Sequence, residues 1–326
     1  MRNSYQITAV ITLFIMFIGC SGPGTQKENL TIAVIPMGTT HEFWKSIHAG
    51  AVTAAHEEGE IDIIWKGPLK EDDRDEQIQI VETMVARSVD AVVLSPMDDR
   101  ALIRPVREAA SRGIPTVLVN SVLQGDYHVS FVATDNYKGG VLGAEHIGNL
   151  LRGKGNLILI RVNEGDATVT QREEGFLNTI KTKYPGIEIL SDNQYAGVTT
   201  ETAFRTTENL LNRFGEMDAL FTPNESSTFG CLRALQDRDL AGSVIFVGFD
   251  STKKLIEAME RKEIHGLVIQ NPFKMGYYGV KIAVSCLNEE PYEKLINTGV
   301  TLATPENMND PEIKKLLSPD LSILSE

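Results

Sequence analysis

The side chains best placed to do chemistry are polar residues that follow short apolar runs. His41, Phe43 and Trp44 come after the first run, Ser95 and Asp98 after the third, and Asn120 and Ser121 after the fourth. Later runs are followed by Asn163 and Glu164, by Asn224, by Asp250 and by Gln270. Amides and a carboxylate donate to and accept from hydroxyl groups, while Phe43 and Trp44 offer flat apolar faces. A sugar needs both, because its C–H face is apolar and every buried hydroxyl must be paired. Taken one at a time, Asn, Asp and Ser after a strand are ordinary turn or capping residues. Their recurrence is what carries weight. Phe43 opens the apolar stripe of a helix and Trp44 falls one residue off it, so Trp44 is the stronger candidate for a ring turned toward a ligand. Acid–base catalysis would draw on Asp250, Glu164, Glu225 and His41, yet no nucleophile elbow, zinc-ligand spacing or phosphate-cradling glycine motif accompanies them. The expectation is binding without catalysis, with no cofactor and no metal.

Ten Val/Ile-rich runs position these residues, at 30–35, 61–65, 91–94, 116–119, 129–133, 157–162, 187–190, 219–221, 244–247 and 266–269. Segments at helical spacing alternate with them, the pattern of parallel sheets covered on both faces. The spacing predicts helices over 42–58, 75–87, 101–112, 139–151, 171–183, 200–214, 226–236, 253–261 and 272–287. Thr39 followed by Glu42 reads as a capping box for the first of these, starting close to His41, and Gly59 as its stop. In open parallel sheets ligands lie beyond the carboxyl ends of the strands, where the polar residues above fall. Ten strands exceed one small doubly wound unit, and 326 residues suit two domains. The crossing between them is expected at Thr134-Asp135-Asn136.

The N-terminus predicts export. Arg2 precedes an apolar run over 7–18, too short to span a bilayer comfortably, that ends at Gly19 and Cys20. Phe17, Ile18, Gly19 and Cys20 resemble the bacterial lipobox, in which the cysteine is acylated. Residues 1–20 are then a signal, Cys20 the lipid anchor to a bacterial membrane, and 21–29 a polar tether. With 31 Lys plus Arg against 44 Asp plus Glu, the net charge of −13 argues against a nucleic-acid surface. Cys231 and Cys286 sit in apolar helical patterns and read as buried free thiols.

The stretch from about Leu30 to about Leu302 resembles the ribose-binding-protein type of periplasmic sugar-binding proteins, whose core is shared by the lactose-repressor family. The resemblance is carried by F-T-P-N-E-S-S-T-F-G-C-L-R-A-L over 221–235, V-G-F-D over 247–250, Q-R-E-E-G-F over 171–176 and A-T-D-N over 133–136. It implies a type I periplasmic binding protein fold: two doubly wound α/β lobes, 30–134 with 271–299 and 135–270 with 300–326, joined by a multi-strand hinge near Asp135, Gln270 and Val300. It places Phe43 and Trp44 on either side of a sugar ring and His41 where an asparagine often contacts a hydroxyl. Arg172, Asn224, Asp250 and Gln270 take the remaining polar contacts, and Asn120 is a further candidate contact on the first lobe. Asn120-Ser121 replaces the Asp-Arg pair of ribose binders, so a charged clamp on vicinal hydroxyls is missing. The implied role is a monomer that closes on a monosaccharide or polyol and serves an ABC transporter permease. The alternative is a receptor for a membrane kinase or chemoreceptor, including one for a furanose signal.

Overall fold

The computed structural model describes residues 29–59 and 61–325. The export signal, Cys20 and residues 21–28 of the tether lie outside them. The first lobe runs β1 (Leu30–Ile35), α1 (Glu42–Glu58), β2 (Ile61–Trp65), α2 (Arg74–Ala86), β3 (Ala91–Leu94), α3 (Ile103–Ser111), β4 (Thr116–Val119) and β5 (Ser130–Ala133). The second continues with α4 (Asn136–Leu150), β6 (Gly155–Arg161), α5 (Ala167–Lys183), β7 (Ile187–Tyr195), α6 (Thr200–Phe214), β8 (Ala219–Phe221), α7 (Glu225–Asp237), β9 (Ile245–Phe249), α8 (Lys253–Glu260) and β10 (Gly266–Gln270). The chain then returns through α9 (Pro272–Leu287) and β11 (Leu295–Asn297), and leaves again by β12 (Val300–Ala303) and α10 (Pro311–Leu317).

The strands form two six-stranded sheets, β2-β1-β3-β4-β5-β11 and β7-β6-β8-β9-β10-β12. Every pair is parallel except β10 with β12. Central strands such as β3 and β4 are buried at every residue, which is why they read as unbroken apolar runs. Each sheet reverses its winding next to its first strand, the place where doubly wound folds bind ligands. The chain passes between sheets after β5, after β10 and between β11 and β12. The first and third passages are tied together: Thr298 N donates to Ala133 O at 2.9 Å and Thr134 Oγ1 to Gly299 O at 2.6 Å.

Glycines let paired helices meet at backbone distance. A Cβ at Gly50 would lie 2.0 Å from the Phe273 carbonyl oxygen and one at Gly276 would lie 1.9 Å from that of Ile47, so α1 and α9 touch reciprocally. In the second lobe a Cβ at Gly140 would lie 1.9 Å from the Arg172 carbonyl oxygen, and one at Gly175 would lie 2.1 Å from that of Tyr137. This contact of α4 with α5 sets the height at which Arg172 enters the space between the lobes.

Some expectations are corrected. Thr39 does not cap α1: its Oγ1 donates to Pro68 O at 3.2 Å, and His41 occupies the N-cap with no side-chain bond. The stop at Gly59 stands, with φ +69° and its N–H on Ala55 O. Strands β11 and β12 and helix α10 were not among the expected runs. A final 3₁₀ turn, Ser322–Ser325, packs on α1, so the tail that leaves the second lobe ends against the first. Cys231 is buried and free, with Thr207 Oγ1 donating to its Sγ at 2.9 Å and burial pushing the thiol up to about 12. Cys286 is free but only half-buried.

Candidate functional site

Strand ends from both sheets converge on one cavity. The first lobe contributes Met37, His41, Phe43, Trp44, Glu71 and Asn120, the second Asp166, Thr168, Val169, Arg172, Asn224, Glu225 and Asp250, and Gln270 stands at the second passage. The eight residues assigned to the ligand (His41, Phe43, Trp44, Asn120, Arg172, Asn224, Asp250 and Gln270) all lie on this wall, whereas Ser95, Asp98, Ser121, Asn163 and Glu164, which also follow strands, do not. The open space they leave is about 40 Å³. That holds a few waters at roughly 10–15 Å³ each. A monosaccharide therefore enters only when the lobes part or side chains withdraw.

Asn120 and Asp250 occupy corresponding places, each the first residue after the fourth strand of its sheet, and both are left-handed, with φ of +65° and +64°. Asn and Asp tolerate this region better than other residues with a Cβ. The conformation carries the chain sharply out of the strand; Asn120 N still donates to Val132 O and Asp250 N to Val268 O. Asn120 Nδ2 donates to Ser95 Oγ at 3.3 Å, which fixes its amide at the cavity wall.

Arg172 is 3% exposed and held from several sides. Its Nε donates to Asn136 Oδ1 at 2.9 Å, its Nη1 donates to Pro223 O at 2.8 Å, and its plane lies 4.1 Å from the Phe249 ring centre. Asp250 Oδ2 is 4.0 Å from Nη1, and Asp250 Oδ1 accepts from Gln270 Nε2 at 2.7 Å. Burial raises the Asp250 carboxyl and lowers the Arg172 guanidinium, each offset in part by the other's charge. The other acceptor in this group, Gln270 Oε1, is buried without a partner.

On the first lobe Trp44 is 2% exposed, set edge-on to Phe43 at 4.9 Å, with Nε1 donating to Glu71 Oε1 at 2.5 Å. Its ring belongs to the first lobe's core and borders the cavity with one side; Phe43 is the more exposed of the two. His41 Nδ1 lies 2.9 Å from the same Glu71 oxygen. Burial pulls the imidazole down, but the bond and charge of Glu71, with Glu225 and Asp250 beyond, outweigh it and raise it to about 9. His41 is thus a cation at neutral pH. Burial raises Glu225 to about 7, against the pull of His41, and Glu225 Oε2 accepts from Phe43 N across the lobes at 3.3 Å.

Several polar residues keep local duties. Asp98 accepts from Arg100 N and Ala101 N in a turn, and Glu164 is exposed beside the Tyr195 hydroxyl. Asn224 does both jobs: its Oδ1 caps α7 by accepting from Ser227 N at 3.1 Å, while the residue lines the cavity. Sequence reasoning missed Glu71, in the acidic stretch after β2, and Asp166, the N-cap of α5. It weighed Glu225 only as a catalytic acid. No periodicity marks these three; only their place soon after a strand could have raised them.

Residues 32–291 match the family model described as a periplasmic binding protein domain. The chain is 28% identical over 291 residues to the D-ribose/D-allose-binding protein of Pseudomonas aeruginosa, covering 85% of this chain and 89% of that one. Among solved structures, it is similar to an ABC transporter solute-binding protein of Agrobacterium vitis with bound D-fucose, at TM-score 0.85 and 30% identity, over 88% of this chain and all of that one. A carbohydrate transporter solute-binding protein of Agrobacterium radiobacter in complex with D-arabinose gives TM-score 0.85 and 32% identity, over 90% of this chain and all of that one.

Proposed function

Because this chain belongs to the periplasmic binding protein family, we propose that it is an extracytoplasmic lipoprotein that captures a monosaccharide or related polyol and delivers it, unaltered, to an ABC-type importer. The observation that carries the reading is the shared cavity: polar and aromatic side chains from both lobes face one space. A ligand there bonds to both lobes at once and so binds the closed arrangement better than an open one. That difference in affinity moves the equilibrium toward closure. Hinge closure around a ligand is established behaviour for periplasmic binding proteins.

In this reading the lobes are 30–134 with 271–299 and 135–270 with 300–326, turning about the three passages. His41, Phe43, Trp44, Asn120, Arg172, Asn224, Asp250 and Gln270 contact the sugar. Acylated Cys20 holds the monomer to the membrane by residues 21–29. The test is a thermal-shift screen across pentoses, hexoses and polyols, since ligand bound to the folded state adds RT ln(1 + [L]/Kd) of stability. At least one compound is expected to raise the melting temperature in a saturable way and to be recovered unchanged by mass spectrometry. Turnover of that compound would overturn the reading, as would silence across all three classes.

A further inference from the structure

We propose that the ligand of this cavity carries a positive charge, a protonated primary amine on a sugar or polyol frame, received by the excess of carboxylates on the cavity wall. This rests on the preceding reading that the cavity is the ligand site. Four carboxylates line it, Glu71, Asp166, Glu225 and Asp250, against two cations, His41 and Arg172. His41 is taken by Glu71 and Arg172 by Asp250. Glu225 and Asp166 line the same space and accept hydrogen bonds from Phe43 N and from Thr168, and neither is in an ion pair among the described residues. Asn120 and Ser121 bring no cation to the opposite rim.

An independent observation points the same way. Gln270 is 3% exposed and lines the cavity, and its Oε1 has no donor. A carbonyl oxygen can only accept, so a donor on the ligand would satisfy it. An ammonium brings three donors and a charge, and so serves the orphan acceptor and the unpaired carboxylates together. Hydroxyls of a neutral sugar could donate to the same oxygens but bring no charge to offset Glu225 and Asp166 where these ionise. Burial, with the charge of Glu71 on both and of Asp250 on Glu225, already raises Asp166 and Glu225, so a cation among them displaces protons they would otherwise hold.

The experiment is calorimetric titration at pH 7 with D-glucosamine, D-galactosamine, D-mannosamine and 1-amino-1-deoxy-D-sorbitol, each beside its hydroxyl parent; the three hexosamines are also paired with their N-acetyl forms. At least one amine is expected to bind tenfold or more tightly than its hydroxyl parent, with an advantage that N-acetylation removes and added salt reduces. In Glu225→Gln or Asp166→Asn the ratio of amine to parent affinity is expected to fall at least fivefold. Equal or tighter binding of the neutral parents overturns this inference and leaves the proposed function standing, as does a ratio unchanged in both variants. Silence of every saccharide, charged and neutral, sinks both.

Discussion

Replacing Asp250 with Asn tests the site most cleanly. The substitution keeps the volume, tolerates the left-handed φ of +64° and preserves an acceptor for Gln270 Nε2, so the charge is what is lost. Arg172 Nη1 lies 4.0 Å from the carboxylate. At an effective dielectric constant near 20, that separation corresponds to about 4 kcal/mol of attraction. Two effects reduce the net cost. Arg172 keeps Asn136, Pro223 and the Phe249 ring, and removing the charge also removes a carboxylate that burial disfavours. The ligand-free protein is expected to lose about 1–3 kcal/mol, a fall in melting temperature of roughly 2–8 °C. Ligand affinity should fall further. Two charge-assisted hydrogen bonds reduced to neutral ones cost about 1–1.5 kcal/mol each, or roughly 30–150-fold together. Titration of the sugar that stabilises the wild type, beside thermal denaturation without it, separates the two effects. An affinity within threefold of wild type alongside a lowered melting temperature would refute the assignment and leave Asp250 as the counterion of Arg172 alone.

Three further outcomes are expected. Gly140→Ala drives a Cβ into the Arg172 carbonyl and forces α4 from α5; overpacking of about 1–3 kcal/mol or more, against about 1 kcal/mol of helix propensity gained, should lower the urea midpoint and weaken ligand binding, and an unchanged midpoint would contradict the close contact. In a Trp65→Phe background Trp44 is the sole indole, and its emission should shift as ligand saturates; a flat trace under saturating ligand counts against its place on the wall. The raised groups should take stability away from mildly acidic to alkaline pH, while His48, His128 and His265, lowered by burial, act in the opposite sense around the ordinary histidine range. Glu225 and Glu173, the latter buried on α5 beside Arg161, hold protons up to about 7 when folded because burial disfavours their charge, against an ordinary 4.5, so folding takes up protons between those values and stability falls as pH rises through that window. His41 adds stability that is whole below 6.5 and lost as pH rises through about 9. Melting curves from pH 5 to 9 check this, and Glu225→Gln should flatten the lower half; a maximum near pH 9 would disprove the charge assignments.

How legible each part was in the sequence follows from how local its signal is. Central strands announce themselves because both faces are covered, so β1, β3, β4 and β8 appear as apolar runs with the bounds found in the structure. Strands β11 and β12 have three and four residues, and Leu295 is 64% exposed, so neither makes a pattern. They exist because an edge of each sheet offers unpaired backbone to a chain brought there by distant packing. The Thr39–Glu42 spacing looked like a capping box, but Thr39 was claimed by the Pro68 carbonyl from another loop.

The sequence by itself determined the alternation of elements and hence the fold class, along with the polar residues at strand ends, because backbone period and turn chemistry act over a few neighbours. Only the tertiary structure decided that Glu71 and Trp44 meet, that Glu225 reaches Phe43 across the lobes, and that four carboxylates share a wall with two cations. These are electrostatic facts, and charges interact through space and the dielectric around them rather than along the chain.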